Sequence, residues 1–191
     1  YSISNTQRGL AGVSFGHFLI KQVVEDLKRE MPALKTFVTL SPVPGFAGWL
    51  RRERAAGDAS LFDAEQRKTL ELLDTPRWFD DAAVCADIEQ LLLPVAAYYF
   101  LHAKNAAGRP VDPVARFHLG NGARLERLNF LGDRSERGLK QAHGLMVNYL
   151  YDLGAIEKNH EAYAENGDIA ASSAVRRTLK DFAPRDLVAT S

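Results

Sequence analysis

Apolar residues recur at three- and four-residue spacings early in the chain: Ile20, Val23, Val24, Leu27 and Met31 share one side, while Lys21, Glu25, Asp26, Lys28 and Arg29 fall mostly on others. That period predicts an amphipathic helix over 13–31. Ahead of it, Tyr1-Ser2-Ile3-Ser4 alternates like the end of a strand, which makes Gly9-Leu10-Ala11-Gly12 a strand-to-helix turn. Residues 35–40 read as a short buried strand, and the two prolines in Ser41-Pro42-Val43-Pro44-Gly45 should end its ladder. Helices are predicted over 46–54 and, from an Asp63 N-cap with Gln66 completing a capping box, to about Leu73. From Asp87 to about Asn105 the positions Ile88, Leu91, Leu92, Val95 and Tyr99 repeat helically, with Pro94 as a kink. Residues 113–130 fit either period. Asp133-Arg134-Ser135-Glu136 caps a helix ending near Gly144, and 146–151 reads as a strand. The tail from Ile156 is polar, with one weak helix over 170–179.

Composition narrows the class without naming a function. The chain's 191 residues, 46% of them hydrophobic, suit one domain better than two. With 24 basic and 24 acidic residues the formal charge is zero, so nothing predicts the phosphate attraction of a general nucleic-acid binder. Cys85, the single cysteine, cannot form an internal disulfide; it reads as a small buried apolar residue in a reducing compartment. No apolar run approaches the ~18 residues of a membrane span, and no signal peptide opens the chain. A cytoplasmic location is the default expectation. Tyr1 is not an initiator methionine, so an N-terminal portion is expected elsewhere.

Three features carry candidate chemistry. The turn Gly9 to Gly12 opens a helix, where free backbone N–H groups and the positive helix end favour an anion such as a diphosphate; the same glycines would equally permit close strand–helix packing. Ser41 precedes a forced turn, where serine commonly bonds its own backbone, and there is no Gly-x-Ser-x-Gly elbow to make it a nucleophile. His118 sits between Phe117 and Leu119 as either a core histidine or a proton carrier. His17, His102, His143 and His160 read as structural or surface residues, and no histidine or carboxylate pair has metal-ligand spacing.

Four blocks, Tyr-Ser-Ile-Ser-Asn-Thr-Gln-Arg-Gly-Leu-Ala-Gly from Tyr1, Thr-Leu-Ser-Pro-Val-Pro-Gly-Phe from Thr39, Phe-His-Leu-Gly-Asn-Gly-Ala from Phe117 and Gly-Leu-Met-Val-Asn-Tyr-Leu-Tyr from Gly144, resemble the C-terminal part of the malonyl-CoA decarboxylase family, in family order. The resemblance implies an α+β, helix-rich domain over 1–191 with a GNAT-like acyl-CoA-binding fold: a mixed sheet flanked by helices, here without its first strands. It also implies a helical N-terminal domain, absent from this chain, through which the whole enzyme forms a homo-oligomer. If the source is eukaryotic, mitochondria or peroxisomes become the expected compartments.

The resemblance further implies decarboxylation of malonyl-CoA to acetyl-CoA and carbon dioxide, with Ser41 as proton donor and His118 as catalytic histidine. GNAT-type folds seat the CoA diphosphate at a Gln/Arg-x-x-Gly-x-Gly/Ala turn; Gln7-Arg8-Gly9-Leu10-Ala11-Gly12 departs from it by Leu10 where the first glycine belongs. Substrate contacts are therefore expected at Gly9, Leu10, Ala11 and Gly12, with Arg8 near them, and at Ser2, Asn121 and Tyr151 around the malonyl group. Phe46, Trp49 and Phe117 either make those surroundings apolar or belong to the core. The thioester carbonyl is its own electron sink, so the chemistry calls for no metal or separate cofactor, coenzyme A being part of the substrate. The competing readings are a GNAT-type N-acyltransferase and a non-catalytic CoA-binding module.

Overall fold

Residues 16–57, 60–182 and 184 are described in a computed structural model of the chain, with the side chains of 16–19 left aside. The strand expected at 1–4 and the glycine turn 9–12 lie outside the described residues. Helix α1, Gly16–Glu30, falls within the predicted 13–31 and presses Val24 into the core.

Three strands, β1 (Val38–Pro42), β2 (Arg124–Asn129) and β3 (Met146–Leu150), form an antiparallel sheet in the order β1-β3-β2. A mixed sheet was expected; among the described residues the parallel element is a bridge between Leu125 and Ala171. Two further expectations fail at β1. Its ladder runs on through Ser41 and Pro42, opposite Val147 and Met146, because among the described residues β1 is an edge strand, and an edge tolerates proline. Nor is the strand buried throughout, since successive side chains alternate between faces. Ser41 points inward, whereas Val38 and Leu40 are exposed.

Helix α2 (Phe46–Ala55) and helix α3 (Ala64–Glu71) match the pattern, and Asp63 and Gln66 make the predicted capping box, after which a 3-10 turn closes 72–74. Helix α4 spans Ala82–Leu101, five residues earlier than predicted, because the Asp81 carboxylate accepts from Ala83 and Val84 N–H and so caps it there. It is long and apolar enough to cross a membrane by length and composition, against the expectation of no such run. Its Ile88, Leu92, Val95, Ala96, Ala97, Tyr99 and Phe100 are buried in the domain core, with Pro94 inside the helix. Phe46, Trp49 and Tyr99 pack as an aromatic cluster between α2 and α4. Cys85 is half-buried rather than fully so, its Sγ near the Trp78 carbonyl.

The ambiguous stretch 113–130 resolves into helix α5 (Pro113–Gly120) and β2, divided at Gly122, whose φ of +75° lets the chain reverse direction. Helix α6 (Glu136–Ala142) starts from the Ser135 cap and ends with His143 in the left-handed region. Helix α7 (Ile156–Asn166) was not predicted: it buries only Ile156 and Tyr163, too few positions to set a visible period. Helix α8 (Ser173–Lys180) packs against α4 and β2.

Candidate functional site

The site assembles where the inner face of β1 meets the C-terminal turn of α5. Period-two alternation sends Thr39 and Ser41 inward, and their hydroxyls lie 3.1 Å apart. Helix α5 is nucleated by Pro113 at its first turn and by Asp112, whose carboxylate accepts from Ala115 N–H at 2.8 Å. His118 sits in its last turn, pointing at β1. Ser41 Oγ and His118 Nε2 are 3.0 Å apart although 77 positions separate them, and on the far side of the ring Nδ1 lies 2.6 Å from the Tyr151 hydroxyl. Ser41, His118 and Tyr151 are each at most 5% exposed.

One direction of protons satisfies this row best. With Tyr151 donating to Nδ1, Nε2–H donates to Ser41 and Ser41 to Thr39, so unspent hydrogen-bonding capacity falls on half-exposed Thr39. The opposite tautomer would leave the Tyr151 proton buried without an acceptor, at a cost of about 1–3 kcal/mol. Burial pushes the His118 pKa down to about 4, so the ring is neutral at pH 7. Burial likewise raises the Tyr151 phenol well above its ordinary range, which keeps its proton in place.

The rings around His118 fix its plane. Tyr149 of β3, two residues before Tyr151, stacks on it with centroids 4.3 Å apart, and Phe117 meets it edge-on at 5.2 Å. Phe46 and Trp49, considered for the same surroundings, belong to the core cluster with Tyr99.

Of the residues singled out in the sequence, Ser41, His118 and Tyr151 come together. Asn121 caps α5 two residues beyond Leu119 and is buried; its Nδ2–H donates to the Phe117 carbonyl at 2.6 Å, leaving Oδ1 buried without a partner among the described residues. Ser2, Arg8, Gly9, Leu10, Ala11 and Gly12 lie outside the described residues. Sequence reasoning missed Thr39 and Tyr149, although each stands two positions from a chosen residue in a strand, the spacing that places side chains on one face. It also missed Asp112, which only the packing of three elements makes notable.

Residues 1–188 match the family model described as the malonyl-CoA decarboxylase C-terminal domain. Mitochondrial malonyl-CoA decarboxylase of Anser anser anser is 35% identical over 200 residues, covering 95% of this chain and 40% of the relative. That of Rattus norvegicus is 36% identical over the same shares. The crystal structure of malonyl-CoA decarboxylase from Rhodopseudomonas palustris superposes with a TM-score of 0.90 at 68% identity, over 93% of this chain and 41% of that one. The chain thus spans about two fifths of the length of the relatives it matches.

Proposed function

The chain belongs to the malonyl-CoA decarboxylase C-terminal domain family, and on that premise we propose that the protein carrying it converts malonyl-CoA to acetyl-CoA and carbon dioxide at the Ser41–His118 site. The observation that carries this reading is the buried row Tyr151, His118, Ser41, with a neutral imidazole between two hydroxyls.

The reaction breaks the bond between the malonyl methylene carbon and its carboxylate. The electron pair moves into the thioester carbonyl, carbon dioxide leaves, and the enolate carbon then takes a proton. Ser41 delivers that proton and is reprotonated through His118, whose Nδ1 takes the Tyr151 proton as Nε2–H leaves, and solvent returns one proton to the row per turnover. A serine hydroxyl is too weak an acid alone; the adjacent imidazole stabilises the alkoxide as it forms. Apolar rings at Phe117 and Tyr149 favour losing a charged carboxylate as neutral carbon dioxide. In this reading Asn121, Tyr151 and Ser2 contact the malonyl group, and backbone N–H groups of Gly9, Leu10, Ala11 and Gly12 hold the diphosphate.

The same reading extends to a GNAT-like architecture and to a homo-oligomer held by the N-terminal part of the parent protein; the antiparallel sheet with helices around it is compatible with the first. Incubating the full-length protein with malonyl-CoA and following carbon dioxide tests the reading. Release of carbon dioxide without an added acceptor supports it. Consumption of acetyl-CoA only when an amine is supplied would make it an N-acyltransferase, and binding without turnover a CoA-binding module.

A further inference from the structure

Asp112 is a buried carboxylate that the chemistry above does not use. It is 1% exposed and makes no ion pair among the described residues. Capping α5 explains only part of its surroundings. One oxygen accepts from Ala115 N–H at 2.8 Å, and the N–H of Val114 also bonds the carboxylate. On its other side it lies against the Gly45 backbone, at the start of α2, and accepts from the Tyr99 hydroxyl of α4 at 3.4 Å. The positive ends of two helices, α2 and α5, therefore converge on one carboxylate, whose pKa burial raises. Gly45 has no room for a side chain there, since a Cβ would stand 2.8 Å from the Tyr99 oxygen and 3.7 Å from Asp112 Oδ2.

The two arms leaving this carboxylate end at the two reactive side chains. From Gly45 back to Ser41 the chain is Pro42-Val43-Pro44, two rings of fixed φ around a buried valine. From Asp112 forward to His118 it is less than two turns of α5. Neither arm has a flexible joint. We propose that Asp112 is a positioning residue that sets the Ser41–His118 contact by tying the start of α2 to the start of α5; this rests on the decarboxylase reading of that pair. A carboxylate is required because it accepts on both sides, whereas serine caps one helix and reaches no further, and an asparagine amide turns a donor toward the Gly45 N–H.

That difference gives the test, on the full-length protein. Asp112→Ser keeps a cap for α5 and cuts the link to Gly45; Asp112→Asn keeps the shape and guards against a serine variant that fails to fold. We expect kcat to fall about 10- to 100-fold in both, as for a misplacement of about 1 Å, with KM for malonyl-CoA within about threefold. In histidine-labelled protein the His118 nitrogen resonances should move toward those of an imidazole without the serine bond. A wild-type kcat with unchanged His118 resonances in either folded variant would reduce Asp112 to a helix cap and overturn the proposal. So would a loss of kcat that tracks thermal stability while those resonances stay put. If the wild-type protein releases no carbon dioxide, the decarboxylase reading fails, and the resonances alone still decide whether Asp112 sets the contact.

Discussion

Tyr149 lies against the His118 imidazole with its ring 19° from parallel, and its own hydroxyl is buried without a partner among the described residues. The ring and the hydroxyl should therefore separate on substitution. Tyr149→Phe keeps the stack and removes an unpaired polar group, so we expect unchanged or higher stability, by about 1 kcal/mol, and near-normal kcat. Tyr149→Leu loses the stack and should lower kcat while freeing the imidazole plane. Urea denaturation with parallel kinetics reads both; a Phe variant clearly less stable than the parent would mean that the hydroxyl has a partner.

Ser41 and His118 share one proton path, which predicts non-additive kinetics. Ser41→Ala and His118→Asn should each lower kcat by about 100-fold or more, with CoA affinity nearly preserved. The double variant should lose little beyond the worse single one. Near-normal kcat in both single variants would make the pair structural.

The pH dependence follows from the burial of His118. Its pKa is about 4 in the folded protein against an ordinary 6.5, so between those values the unfolded chain binds more protons. Stability is then complete above about pH 6.5 and lost as pH falls through 4, with a contribution of about 3 kcal/mol. The acid limb of kcat/KM should likewise lie near pH 4 rather than near 6.5. His143, also lowered to about 4 by burial, supplies the control. His143→Asn should flatten the stability profile as His118→Asn does, yet leave the acid limb of activity in place.

Gly122 marks the turn that lets α5 hand over to β2. A Cβ there would run into the Ile156 carbonyl at the start of α7, and φ is +75°. Gly122→Ala should therefore cost roughly 3 kcal/mol, overpacking and the left-handed backbone adding together. Thermal unfolding measures it, and a loss under about 1 kcal/mol would mean that α7 moves aside freely.

The diphosphate seat is tested separately from the chemistry. Gly12→Val should raise KM for malonyl-CoA strongly and leave kcat at saturation and the fold largely intact. An unchanged KM in the folded variant would remove Gly12 from the seat.

Elements whose signals are local were legible along the chain. The Asp63–Gln66 capping box forms where it was read, a cap within 133–136 starts α6 at Ser135, and the apolar repeat of α4 marks a helix whose start lies five residues earlier. Ser41 and His118 were named from family-like blocks, since a serine beside proline and a histidine between apolar residues carry little information alone. Packing set the features that depend on neighbours distant in the chain. Whether Pro42 ends a strand depends on whether that strand is an edge, and among the described residues β1 is one. Whether polar α7 is a helix depended on the few side chains it buries, because an exposed helix needs only a narrow apolar stripe. The 3.0 Å contact between Ser41 and His118, the ring of Tyr149 over the imidazole and the reach of Asp112 to Gly45 join segments that no local pattern connects. A strand fixes which face a side chain takes, but only packing fixes what it meets there.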